Sequence, residues 1–202
     1  AYDLWVFAID STGTLLWEKT YGSPSYDFLA DLVAMPDGSF YLGGNVSASG
    51  GDVDTIFGGT DVWLSRCDAS GNIVWQKTYG AEGYNNCTGF IVNSKGNLVI
   101  TGTNHADYFS GCYSPENQNI FILESDPSGN ILWNRCYGSW GTDYGGSVVQ
   151  YLDGYLMVAT VNGGGKNVGG YHQQAGGYSP TSDIWLVRTD HQGLKKKKKC
   201  LG

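Results

Sequence analysis

Long apolar runs and positive charge are what this sequence most lacks. No apolar stretch in the 202 residues approaches the roughly 20 that a membrane-spanning helix needs. Only 12 Lys and Arg stand against 19 Asp and Glu, and five of the twelve sit in one run, Lys195 to Lys199. Without that run the net charge moves from −7 to −12, which argues against nucleic acid or an anionic membrane as partner. Cations, glycans and basic protein surfaces remain. The five cysteines show no CxxC and no Cys/His metal spacing. Two readings stay open for them: buried small hydrophobes, or disulfides in an exported protein, with Cys87 and Cys112 the expected pair because they fall within one repeat. The chain also lacks a nucleophile elbow, a phosphate loop and an HExxH motif, and no carboxylate pair stands out, so no catalytic residue is assigned. Ala1 is neither a starting Met nor the opening of a signal peptide, so the N-terminus reads as processed or truncated.

Gly (31), Tyr (14) and Trp (7) are abundant, whereas helical patterns rich in Lys, Arg, Glu and Leu are scarce. That balance suits short strands joined by tight turns and predicts an all-β chain. One stretch organises it: Asp61-Val-Trp-Leu-Ser-Arg-Cys-Asp-Ala-Ser-Gly-Asn-Ile-Val-Trp-Gln-Lys-Thr-Tyr-Gly80. Copies open at Asp3, Asp61, Asn119 and Asp183, at spacings of 58, 58 and 64 residues. Within a copy, both alternating faces of the first strand are apolar, as with Leu4, Val6 and Ala8 against Trp5, Phe7 and Ile9, so each strand is expected to be covered on both sides. An Asp-x-x-Gly turn follows at Asp10, Asp68, Asp126 and Asp190, then a strand carrying Trp17, Trp75 or Trp133. After each Tyr-Gly comes a second hairpin, around Pro36-Asp37-Gly38, Ser94-Lys95-Gly96 or Asp153-Gly154.

Four antiparallel strands per unit, repeated along the chain and apolar on both faces, predict a β-propeller; a β-sandwich is the runner-up. Naming the strands a to d from the axis outward, residues 1–22 supply a half blade of c and d. Residues 23–80, 81–138 and 139–202 supply three complete blades. Propellers usually hold roughly four to eight blades, so the chain is expected to be a fragment of a larger ring, or to close one with a second chain. In the repeat register the five lysines take the outermost strand of the last blade, where Trp is expected; a basic patch is one reading of the run and a misread sequence the other.

Propeller geometry puts the d-a and b-c connections on one rim. The long segments 46–60, 104–118 and 161–182 therefore share it, and a ligand site is expected there. The candidate residues are Asp52, Asp54, His105, Asp107, Tyr108, Tyr113, Asn117, Tyr171, His172 and Tyr178. Asp27, Asn85 and Asp143 precede strand a, and Asp3, Asp61, Asn119 and Asp183 open strand c. Recurrence in every unit favours backbone bonding over catalysis; a ring of oxygen ligands for Ca²⁺ is the alternative, with Asp27, Asn85 and Asp143 as its metal candidates. Asn45-Val46-Ser47 and Asn86-Cys87-Thr88 fit the glycosylation sequon.

The pattern Asp-x-Trp-x-x-x-x-Asp-x-x-Gly-x-x-x-Trp-x-Lys-x-Tyr-Gly, followed by an Asp-Gly hairpin, resembles the tandem β-propeller repeat of secreted bacterial and archaeal surface proteins. Residues 8–17 also resemble the tryptophan-docking repeat of quinoprotein-like propellers, with Trp17, Trp75 and Trp133 at the docking position and Lys197 departing from it. The resemblance implies an extracellular or cell-surface adhesion, carbohydrate-binding or scaffold module, without catalysis and without a cofactor apart from the Ca²⁺ alternative. A glycan or a protein is the partner it implies. A quinone-dependent propeller enzyme is the enzymatic alternative.

Overall fold

In the computed structural model, described for residues 2–105, 117–172 and 182–201, the described residues form strands, turns and bends and no helix. The strands are β1 (Leu4–Ile9), β2 (Leu15–Tyr21), β3 (Phe28–Ala34), β4 (Phe40–Val46), β5 (Asp61–Cys67), β6 (Ile73–Tyr79), β7 (Tyr84–Val92), β8 (Leu98–His105), β9 (Gln118–Ser125), β10 (Ile131–Tyr137), β11 (Asp143–Tyr151), β12 (Gly154–Val161), β13 (Asp183–Thr189) and β14 (Lys195–Leu201). They pair into a two-stranded sheet, β1-β2, and three four-stranded sheets, β3-β4-β5-β6, β7-β8-β9-β10 and β11-β12-β13-β14. Every neighbouring pair is antiparallel. Among the described residues no sheet closes on itself and no closed ring of sheets is found.

The turns form for the reasons their residues suggest. Asp68 Oδ1 accepts from the Ser70 and Asn72 N–H groups (2.9 and 2.8 Å), while the Gly71 N–H donates to the Asp68 carbonyl (2.9 Å) at φ 76°. The same bonds recur at Asp10, Asp126 and Asp190. One hairpin departs from expectation: the turn between β11 and β12 is Leu152-Asp153, with Leu152 itself at φ 51°, because Tyr151 pairs with Gly154. Gly154 is needed for a different reason. A Cβ there would collide with the Thr189 carbonyl of the neighbouring strand.

Successive sheets pack face to face, and β5 shows how. Trp63 and Cys67 point back to a cluster with Leu4, Val6, Tyr21, Phe40 and Leu42, while Val62 and Leu64 point forward to one with Tyr79, Phe90, Ile100, Phe121 and Leu123. In β9, Phe121 and Leu123 complete that second cluster, and Ile120 and Ile122 join a third with Tyr155, Met157, Trp185 and Val187. A strand apolar on both faces is thus a strand between two sheets. The expectation that β1 is also covered on both sides does not hold. Leu4 and Val6 are buried, but Trp5, Phe7 and Ile9 are exposed, because among the described residues no sheet packs on that face.

β7 and β8 run further than their apolar residues indicate, from Tyr84 and to His105. Their polar ends are held across sheets: the Cys87 N–H donates to Asn45 Oδ1 (2.6 Å) and Asn45 Nδ2 donates to the Cys87 carbonyl (3.1 Å). Cys87 is a free, buried thiol, so the expected Cys87–Cys112 disulfide is not formed. It sits inside the second cluster, which holds no other described thiol, and burial pushes its pKa up to about 12. Cys112 lies outside the described residues; Cys136 is disulfide-bonded.

Candidate binding rim

The outer strands β2, β6 and β10 end in Tyr-Gly, and each such corner is packed under polar side chains. A Cβ on Gly80 would collide with the Asp61 carboxylate, one on Gly138 with Asn119 and Asp143, and one on Gly22 with Asp27. These buried groups bond the corner loops. Asp27 accepts from the Ser23 N–H and hydroxyl (2.5 and 2.8 Å), Asp143 from the same groups of Ser139 (2.5 and 2.7 Å), and Asp61 from the Phe57 and Gly58 N–H groups (2.5 and 3.2 Å). Asn85 Nδ2 donates to Asp61 Oδ1 (3.2 Å) and to the Ala81 carbonyl (3.3 Å). Burial, against the bonds from Ser139, raises the Asp143 pKa. Among the described residues, no group of three or more His, Cys, Asp or Glu side chains converges as a metal-ligand set.

Two long loops return to these corners by one device that the sequence reading missed. In the first, the Gly50 N–H donates to the Val53 carbonyl (2.7 Å), the Asp52 N–H to the Gly22 carbonyl (2.9 Å), and the Gly22 N–H to Asp52 Oδ2 (3.1 Å). In the second, the Gly165 N–H donates to the Val168 carbonyl (3.1 Å), the Asn167 N–H to the Gly138 carbonyl (3.1 Å), and the Gly138 N–H to Asn167 Oδ1 (3.3 Å). Val53 and Val168 are buried beneath. The signal in the sequence is Gly-x-Asp/Asn-Val. Gly51 sits at φ 62° where Lys166 sits at φ 45°. Loops and corners therefore share one rim.

The candidate residues divide among three corners instead of forming one site. Asp52 bonds the first corner, and exposed Asp54 stands beside Phe57, Gln76 and Lys77 in a shallow recess. His105 lies at the second, its ring 6.4 Å from that of Tyr84. Asn117, Tyr171 and His172 gather at the third, where His172 donates its backbone N–H to Asp183 Oδ2 (2.7 Å) and sets Nδ1 at 3.1 Å from it. Asp107, Tyr108, Tyr113 and Tyr178 lie outside the described residues.

At the third corner the structure adds a residue that the sequence reading passed over. Trp140 stands where the earlier units carry Pro24 and Glu82, and its side chain is 70% exposed. Asn117 Nδ2 donates to the Trp140 carbonyl (2.9 Å), the Trp140 N–H to the Gly164 carbonyl (3.2 Å), and Lys166 Nζ lies 5.2 Å from the indole centroid. The ring lies against Gly165, where any Cβ would strike it. An exposed indole with an ammonium over its ring offers an aromatic surface to an apolar or sugar ring and a donor to an oxygen-rich ligand. Compared with known proteins, the chain matches no family model and no curated protein.

Proposed function

We propose that the chain is an arc of a β-propeller, a c-d half blade followed by three four-stranded blades, which serves at a cell surface as a non-enzymatic binding or scaffold module. Its ligand, a glycan or a protein, docks on the rim of long loops. The observation that carries this reading is Trp140: a large indole left 70% exposed at a corner where three backbone and side-chain contacts hold its loop. Ligand sites of this kind set a few polar groups around an aromatic platform. Support also comes from the corner carboxylates, whose oxygens are spent on loop backbone, so the reading calls for no cofactor. Among the described residues no helix is long and apolar enough to cross a membrane.

A carbohydrate array followed by calorimetry tests the proposal. Binding to a carbohydrate class that falls at least about tenfold in Trp140→Ala, with the melting temperature unchanged, is the expected result, since a stacked aromatic contributes on the order of 1–2 kcal/mol. Binding that survives this change places the site elsewhere and sinks the Trp140 assignment.

A further inference from the structure

The turn 165–168 at the third corner repeats the turn 50–53 at the first with one telling change. In the first turn Gly51 takes the left-handed position at φ 62°, and a Cβ there would strike the Gly22 carbonyl. In the third the matching residue is Lys166, held at φ 45°. Glycine adopts that region freely, whereas a lysine enters it against the clash between its Cβ and the following carbonyl. Backbone strain of this kind clusters at ligand-binding positions. What the strained residue delivers here is an ammonium 5.2 Å from the centroid of the exposed Trp140 indole.

Two more lysines brace the same turn. Lys195 Nζ and Lys198 Nζ both donate to the Asn167 carbonyl, each at 2.9 Å, so two ammonium groups crowd one oxygen. Burial and the Lys198 charge together lower the Lys195 pKa. Among the described residues no carboxylate lies within ion-pair distance of Lys166, Lys195 or Lys198. The two acids of this corner are buried and turned to other donors, Asp143 to Ser139 and the Asn162 N–H (3.3 Å), Asp183 to His172. Lys166 acts on Asp143 only through space. A chain of net charge −7 thus gathers three ammonium groups around one turn, beside the most exposed tryptophan of the described residues.

We infer that the Trp140 corner takes an acidic sugar, its ring against the indole and its carboxylate or sulfate on Lys166. This rests on the reading of Trp140 as the ligand platform and adds the class of ligand. An indole binds a sugar ring whatever its charge, whereas an ammonium beside that ring gains affinity from an anionic substituent. Lys195 and Lys198 add to the local positive potential. The exposed indole favours a sugar ring over the carboxylates of an acidic peptide, which offer the charge without the ring.

Calorimetry at low salt with two matched pairs tests it: trigalacturonate against its methyl ester, and sulfated against plain dextran oligosaccharides. Within a pair the rings are the same and the charge differs. An acidic member is expected to bind about tenfold tighter than its neutral partner, and the two pairs tell carboxylate from sulfate. Added salt narrows the gap. Lys166→Gly gives the third turn the residue of the first, so the melting temperature should hold while the acidic-to-neutral ratio collapses toward one. Trp140→Ala should weaken both members of the pair. No preference for the acidic member in either pair, or a ratio that survives Lys166→Gly, overturns the inference and leaves Trp140 as a glycan platform. Tighter binding of a polyglutamate peptide than of any sugar overturns it in favour of a protein ligand. Absence of binding to every sugar, in these pairs and on the array, removes the platform reading and this inference with it.

Discussion

The Tyr79 hydroxyl donates to the Gly129 carbonyl at 2.8 Å across two sheets and fifty residues of sequence, and both ends of the bond are buried. It closes the outer edge of the junction, where the last strand of one sheet meets the turn of the next. Tyr79→Phe removes the donor and keeps the ring, so the carbonyl loses its partner; a stability loss of about 1 kcal/mol is expected. Burial also raises the Tyr79 phenol above its ordinary 10.0. Because the folded pKa is the higher one, its contribution is complete below pH about 10 and is lost as pH rises through the folded value. Denaturant melts in the variant should therefore show a shallower alkaline fall than the wild type. Tyr21 and Tyr137 are shifted the same way, Tyr137 to about 12, so the fall should be reduced and not abolished.

Glu124 is the one buried carboxylate among the central strand positions that elsewhere hold Arg66 and Arg188. Four groups donate to it: Asn93 Nδ2 (3.1 Å) and Asn97 Nδ2 (2.6 Å) on Oε1, Trp133 Nε1 (3.0 Å) and Tyr155 Oη (2.9 Å) on Oε2. Tyr155 comes from the following sheet, so one side chain ties two sheets together. Glu124→Ala orphans four donors at once and should cost on the order of 3 kcal/mol; Glu124→Gln, which keeps one acceptor, should cost less. Equal losses in urea denaturation would show that the network is not what holds the carboxylate in place.

What the sequence made legible follows from period and punctuation. β5 and β13 fall where alternating apolar faces and an Asp-x-x-Gly turn place them, because their stability comes from burial on both sides and residue type reports burial directly. The inner strands were seen only in part. Asn85 and Asn104 read as loop, yet they sit in β7 and β8, where Asn85 Nδ2 donates to Asp61 Oδ1 and to the Ala81 carbonyl and the nearby Thr103 hydroxyl accepts from the Gly145 N–H of the next sheet. No hydropathy pattern carries that information. The rim fared worst: Trp140 has no counterpart in the repeat to mark it, and its neighbours Lys166 and Asn117 arrive from distant loops.

Leu152 occupies left-handed backbone, φ 51°, at a fully solvated turn with its side chain 70% exposed. A leucine pays for that conformation with the clash between Cβ and the following carbonyl, about 1 kcal/mol, and gains no burial in return. Asn tolerates the region better. Leu152→Asn should raise stability by roughly 0.5–1 kcal/mol, read as a higher denaturant midpoint at constant slope. A lower midpoint would mean that the leucine packs in solution against something that covers this turn.

Acid should unfold the protein through its turns. The carboxyl of Asp10 is held low by the Thr12 hydroxyl and nearby N–H groups, and those of Asp68 and Asp126 by the Asn72 and Asn130 amides. Asp37 is lowered first by the Ser39 hydroxyl and Asp153 by the Arg188 guanidinium, and for Asp190 the Leu194 N–H, Lys196 and other bonds together outweigh an opposing burial. A depressed folded pKa contributes stability that is present above the unfolded value and lost as pH falls through the folded one. Asp143 works the other way, since burial raises its pKa and its protonation on acidification favours the folded chain. Six groups against one give a net loss, beginning as pH drops below about 4. Asp126→Asn keeps an acceptor for the Ser128 and Asn130 N–H groups but cannot titrate, so its melting temperature should fall less steeply between neutral pH and about pH 2.5 than that of the wild type. Parallel curves for the two proteins would mean that this turn carries none of the acid sensitivity.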